Sequence, residues 1–489
     1  MRVLQALAAL PPALAIAQTP APGGQRHLET ELRLGFERIE LPGNEQMGLL
    51  GAGYLFEVRP GLLVGPAMYG AISGERGGFF TFGAEGTWRR PVARPLDAQL
   101  GLYVGGGGGG AAPVGGGLMW RPHADLLWNF GGYRAGVSVS QVRFSNGDIG
   151  SRQLGLVLSM DARFNYLPLD ASAPSSRVAE RSGLGFDRLL AVGGAYRPRE
   201  GTRDNSGQPL QSTIGYVGVR AEQFVAPPFY WGLEANGAVS GGVSGYAEFF
   251  AEAGAETPVG DRLQLGGRAA LGMGGGGAVP VGGGLLLRAG VYGTARLSRA
   301  AGVTVEGGWA RAPQGEFSAP FAAVMLNWNL DPAGASAGAE RPTREEGVIG
   351  IETYRDAARL AGPPHSLQSV AFKFNRFVGE TVYLTGQVRS AWSGEAGGFS
   401  VGLVGAGYQW RPAGPWLAGA ELLVGAAGGG GVDAGSGAIV QPMLYAGYRL
   451  TAAISARAGV GRVRSTQGSL DSTVLGLDLS FAFGVGRRN

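Results

Sequence analysis

The sequence predicts an all-β protein, a transmembrane antiparallel β-barrel fold built as three tandem eight-stranded barrels. Three observations predict it. The chain repeats itself nearly threefold. Its apolar residues alternate with polar or small ones in runs of strand length. Its composition suits a membrane, yet no apolar run beyond the first residues reaches the ~18 that a spanning helix needs.

The repeat is marked by glycine runs. Glycines 105–110 precede Ala-Ala-Pro-Val-Gly-Gly-Gly, glycines 274–277 precede Ala-Val-Pro-Val-Gly-Gly-Gly, and glycines 428–431 precede Val-Asp-Ala-Gly-Ser-Gly. The unit is roughly 150 residues, far longer than a solenoid repeat of about 20–50, so each copy is a domain-sized module. The modules are expected at 27–168, 183–330 and 347–485. Segments 169–182 and 331–346 are rich in Ala, Ser, Pro, Arg and Glu without a strand period. They read as connectors.

Alternation is clearest at the end of each module. Across 153–166, Leu154, Leu156, Leu158, Met160, Ala162, Phe164 and Tyr166 share one parity, against Gly155, Val157, Ser159, Asp161, Arg163 and Asn165. Successive strand side chains point to opposite faces, so this is a two-faced strand. The second module repeats it with Ala322, Val324, Leu326 and Trp328, and the third with Leu475, Leu477, Leu479, Phe481 and Phe483. The opening strand sets Leu32, Leu34 and Phe36 against Glu31, Arg33 and Glu37. About eight such runs fill each module, and about 9–11 tilted residues suffice to cross a bilayer. In the first module they start near 28, 46, 61, 78, 96, 116, 133 and 152. Tight turns follow the even runs and longer loops the odd ones, the pattern of a barrel with one short-turn side.

Composition narrows the function. Charged residues make up 16% of 489, against about 25% in an ordinary soluble domain. The net charge of +4 is small and dispersed, which argues against nucleic acid. The absence of cysteine excludes disulfides, thiolate zinc sites and thiol catalysis. Arg2, an apolar stretch over 3–17 and Ala15-Ile16-Ala17 read as a signal peptide over 1–17.

The last strand carries a resemblance. The segment from Leu477 through Phe481 to Phe483 resembles the C-terminal strand by which integral outer-membrane β-barrel proteins of Gram-negative bacteria are recognised for insertion. Gln153, Gly155, Leu158 and Met160 fit the polar-x-Gly-x-x-apolar-x-apolar form of that signal better. The third copy departs from it, with Val474 at the polar position and a Gly-Val-Gly-Arg-Arg-Asn tail. The resemblance implies an outer-membrane address with lipid, lipopolysaccharide and the insertion machinery as partners. It names no subfamily and carries over no functional residue.

One barrel of twenty-four strands is the alternative architecture. It would enclose a wide aqueous lumen, and no plug or long constricting loop is visible in the sequence. Inward positions are mostly Gly, Ala, Ser and Thr with scattered charges, which favours three narrow interiors.

Candidate sites are few. The glycine runs lack the Lys-Ser/Thr and the flanking helix of a phosphate loop, so they read as turns or closely packed hairpins. Arg143, Arg311 and Arg464 are equivalent, lie near the outer end of the seventh run and share parity with lipid-facing residues. They are candidates for lipopolysaccharide phosphate contact. Arg121 and Arg288 point inward, with Glu85 and Glu252 as expected lumen partners, because a buried charge needs pairing. His123 and Asp125 join Glu85 and Arg121 on one face, with Ser138 and Ser140 on the next run. Nothing shows that a serine reaches that histidine, so no catalytic residue is assigned. His27, His123 and His365 lack ligand spacing, so no metal or cofactor is expected. The function expected is a non-enzymatic structural, surface-contact or adhesion protein with an unidentified surface partner. A porin-like channel for ions or small solutes and a lipid-modifying enzyme are the alternatives.

Overall fold

Alternating sequences become strands because one face meets lipid and the other the barrel interior. The computed structural model describes residues 24–169, 177–178, 180–210, 213–330 and 342–488. Residues 1–17, read as a signal peptide, and most of both connectors lie outside the described residues.

The first barrel comprises β1 (Arg26–Leu41), β2 (Glu45–Arg59), β3 (Leu62–Ser73), β4 (Phe80–Ala93), β5 (Leu96–Gly108), β6 (Met119–Asn129), β7 (Tyr133–Phe144) and β8 (Gly150–Tyr166). A two-residue strand, β9 (Arg177–Val178), follows. The second barrel comprises β10 (Arg188–Tyr196), β11 (Ile214–Ala226), β12 (Phe229–Ala238), β13 (Ala247–Val259), β14 (Leu263–Gly275), β15 (Leu285–Arg296), β16 (Ala301–Arg311) and β17 (Ser318–Asn329). The third comprises β18 (Thr343–Ala357), β19 (His365–Phe377), β20 (Val382–Ser393), β21 (Ser400–Trp410), β22 (Trp416–Gly428), β23 (Ala438–Arg449), β24 (Ile454–Ser465) and β25 (Asp471–Val485). β26 (Arg487–Arg488) ends the described chain.

Each set of eight closes on itself with antiparallel neighbours. Leu32 lies opposite Met160, Leu189 opposite Trp328 and Ile351 opposite Leu477. These closures exclude the single twenty-four-stranded barrel. On β8, Leu154 is 74% exposed while Val157 is 1% exposed, so the parity read from sequence separates the two faces.

The third barrel starts earlier than expected. β18 begins at Thr343, inside the 331–346 stretch read as connector. Glu345 and Glu346 resemble linker charges, yet both are buried. Glu346 accepts from Arg344 and Arg457, each at 2.6 Å. The first connector is likewise tied down at its described residues. Leu167 and Gly484 exchange two backbone hydrogen bonds of 2.8 Å, Ser182 bonds both backbone groups of Gly486, and β9 pairs in parallel with β26.

The barrels pack against one another in a closed ring. β3 meets β14 and β15, β11 and β12 meet β22, and β5 meets β19 and β20. Each contact joins different surfaces, and three such heterologous contacts close. The glycine runs form the seams. The loop at 74–79 lies on the 276–284 loop, with the Gly77 amide donating to the Gly282 carbonyl at 2.8 Å. The loop at 394–399 repeats this against the first barrel, Gly397 donating to Gly115 at 3.1 Å. At the remaining seam Ser244 replaces the glycine, and its hydroxyl donates to the Ala427 carbonyl at 3.4 Å. A Cβ on Gly284, Gly117 or Gly437 would stand 2.5, 2.6 or 2.4 Å from the carbonyl oxygen of Ala71, Ala391 or Ala238. Only glycine allows that approach. Where the barrels meet, Phe80, Phe82 and Met273 pack with Phe249, Phe372 and Val388. Phe164 of β8 packs edge-on to Phe483 of the third barrel at 5.0 Å.

Candidate functional site

Each barrel interior is filled in two layers. At the long-loop mouth the fill is apolar. Val114, Val281 and Ala434, equivalent residues of the loops after β5, β14 and β22, are buried in the mouths of their own barrels. They pack there with residues such as Phe79 and Phe144, Tyr246 and Phe317, and Phe399 and Leu470.

Below the plug the fill is charged. In the first barrel Arg33 reaches Glu85 at 3.1 Å and Asp125 at 2.7 Å, and His123 sits between the same two carboxylates at 3.1 and 3.0 Å. Arg121 makes two 2.8 Å bonds to Glu37. Nearer the short-turn end Arg134 bonds Asp97 at 2.9 Å and Asp161 at 2.6 Å. In the second barrel Arg220 bonds Glu234 at 2.7 Å and Glu306 at 2.8 Å, and Arg268 bonds Glu306 at 2.7 Å and also Glu252. In the third, Lys373 bridges Glu352 at 3.1 Å and Asp478 at 2.8 Å, and Arg389 meets Glu352 at 2.8 Å. Buried charges persist only when partnered in this way.

The four residues expected to pair in the lumens all face inward and are ion-paired, but with other partners. Glu85, Tyr103 and Arg121 occupy one register row across β4, β5 and β6. The Tyr69 hydroxyl donates to Glu85 at 3.1 Å and its ring lies 5.1 Å from the Arg121 guanidinium, so this ring stands against both charges and Arg121 turns to Glu37 on β1. In the second barrel Glu252, Ala270 and Arg288 share a row. There Arg288 pairs with Glu234 and, at 3.3 Å, with Glu248. Glu252 goes to Arg268, and to Arg220 at 3.4 Å. Strand tilt and stagger decide which inward residues meet, and spacing along one strand does not reveal that. Sequence reading missed most of these charges. Their inward parity, plain for Glu31, Arg33 and Glu37 on β1, was the available signal.

The serine-histidine arrangement does not form. Ser140 lies opposite His123 in the β6–β7 register, yet its hydroxyl donates to Glu37 at 2.6 Å and accepts from Gln153 at 2.8 Å. An activated serine needs its base within hydrogen-bond reach. Among the described residues no group of three or more His, Asp or Glu is placed to hold a metal.

Exposed arginines gather at the rim. Arg143 and Arg311 are exposed and, among the described residues, have no ionic partner. Arg464 shares Asp471 with Arg462, at 3.3 and 2.5 Å. The structure adds neighbours that sequence reading missed. Arg152 on β8 and Arg38 on β1 are exposed beside Arg143. Beside Arg311, the Arg197 amide donates to Pro320 at 3.0 Å, and Arg199 stacks over Trp309 at 5.7 Å. Arg355 and Arg462 flank Thr473 from β18 and β24. Following outward parity to the strand ends would have found Arg38 and Arg152.

No family model matches the chain, and no curated protein matches it. Solved structures do. Pseudomonas aeruginosa OpdK with vanillate is 10% identical, covering 93% of this chain and 98% of that one, with a TM-score of 0.23. The ferric enterobactin receptor PfeA is 10% identical, covering 95% and 82%, with a TM-score of 0.29. Acinetobacter baumannii OccAB3 is 10% identical, covering 94% and 99%, with a TM-score of 0.22. Likeness at this level carries no ligand or activity to this chain. The architecture itself is that of outer-membrane proteins: closed antiparallel barrels, an apolar outer face, short turns on one side and longer loops on the other.

Proposed function

We propose that this chain, a Gram-negative outer-membrane β-barrel protein, is a non-enzymatic structural or surface-contact component of the envelope. One observation supports the reading above others: each lumen is filled twice, by an apolar plug and by an ion-paired layer. A barrel of eight strands is just wide enough for side chains to fill. What remains to present is the long-loop surface, where the glycine seams join the barrels.

A second reading is a narrow, porin-like channel for ions or small solutes, and one feature favours it. The third barrel keeps a cavity of about 10 Å³ among Lys373, Glu421, Tyr445, Arg457 and Asp478, room for about one water. A gated path would run through that spot. Conductance of the full chain in planar bilayers decides between the two. Sealed barrels give no stepwise current, and reproducible steps would overturn the structural reading in favour of the channel.

A further inference from the structure

We propose that each barrel carries a binding site for the phosphate groups of a phosphorylated glycolipid of the outer leaflet, built from the arginines where its seventh, eighth and first strands meet. The inference deepens the outer-membrane reading and rests on it.

The placement recurs while the residues do not. The first barrel uses Arg38, Arg143 and Arg152, on β1, β7 and β8. The second uses Arg311, the last residue of β16, with Arg197 and Arg199 just beyond β10. The third draws Arg355 from β18 and Arg462 and Arg464 from β24. Every one lies within three residues of its strand's long-loop end. The barrels meet through β3, β4, β5, β11, β12, β14, β15, β19, β20, β21 and β22, and through β8 and β25 near their short-turn ends, where Phe164 packs on Phe483, away from these arginines. The three clusters therefore face lipid.

Their chemistry sets them apart from the interior arginines. Inside, guanidinium groups such as those of Arg33, Arg220 and Arg389 are matched with carboxylates. At the rim, Glu40, Asp148, Glu200, Glu316 and Asp356 stand near the same strand ends, yet none makes an ion pair with these arginines. Only Asp471 does. Exposed charge on a lipid-facing strand is tolerated near the interface and costly at mid-depth. Guanidinium forks suit phosphate bidentately. Arg355 and Arg462, one strand apart on either side of Thr473, stand about 10 Å from each other across two strand spacings. Directly below on the same face run exposed aliphatic side chains, Val137, Val139, Leu154 and Leu156 in the first barrel. Phosphate above and acyl chains below describe a lipid, not a free anion.

The test uses the full chain in nonionic detergent, with native mass spectrometry counting bound bis-phosphorylated lipid A and its dephosphorylated counterpart. The expected result is up to three phosphorylated lipids, bound at least about tenfold more tightly than the dephosphorylated form. The combined variant R38Q/R143Q/R152Q loses one of them and keeps its heat-resistant folded band. The short-turn-end control R90Q/R163Q loses none. Equal binding of both lipids, or an unchanged count in the triple variant, overturns the proposal. Displacement by excess inorganic phosphate assigns the sites to a free anion and overturns the lipid assignment. Protein that stays soluble without detergent overturns the outer-membrane reading instead, so the two failures are distinct.

Discussion

Gly106 belongs to the first glycine run, and its neighbours explain why the run exists. A Cβ there would lie 2.6 Å from the Ser390 carbonyl oxygen and 2.8 Å from that of Ala391, both in the third barrel. Its backbone does not need the left-handed region, so a substitution reports the neighbour alone. Gly106→Ala is expected to destabilise the folded protein by about 1–3 kcal/mol, the usual range for overpacking. Gly150→Ala places its new carbon where nothing lies within 4 Å and should change little. Denaturant midpoints in detergent compare them, and an equal response would sink the seam as the reason for the glycines. The sequence offered turns or closely packed hairpins for these runs, and the structure packs them against a neighbouring backbone. The sequence could not show that backbone, because it belongs to another module. The interior charges were hidden for a related reason. Inwardness follows from parity, but the choice of Glu37 over Glu85 by Arg121 depends on the tilt of the closed sheet and on the Tyr69 ring, which stands against both Glu85 and Arg121.

β8 shows at the scale of an element how far parity reaches. Arg152, Leu154, Leu156 and Leu158 share one exposed face, with Ser151, Gly155, Val157 and Ser159 buried on the other. The same face thus accepts a cation near its outer end and leucines toward its middle. Leu158→Arg puts the cation at mid-strand, where the expected cost is about 2–4 kcal/mol, falling to about 0–1 near the interface. Arg152→Leu should accordingly leave stability nearly unchanged. Refolding equilibria into lipid vesicles measure both, and a harmless Leu158→Arg would deny that this face meets hydrocarbon. Element starts were legible because such periodicity is strong. The runs expected near 28, 46, 96 and 133 correspond to β1, β2, β5 and β7, which begin at Arg26, Glu45, Leu96 and Tyr133. The start of β18 was not legible. Arg344, Glu345 and Glu346 carry no apolar period, and only the closed barrel supplies Arg457 and Arg376 as their partners.

The whole molecule behaves as one assembly although the chain is written as three modules. Each barrel touches both others, so removing the covalent connection leaves every seam in place. The chain crossings are also reinforced away from the seams, where Leu167 and Ser182 bond Gly484 and Gly486 near the end of the third barrel. Tethering raises the effective concentration of one module for another, but a closed ring with two contacts per barrel does not need it once formed. Protease sites inserted at 172 and 336 should therefore yield three fragments that still elute together from size exclusion in mild detergent. Combining the cuts with Gly106→Ala should weaken the first-to-third seam and release fragments at lower denaturant. If the cut wild-type chain falls apart into single barrels at once, the seams are incidental and the connectors alone hold the modules together.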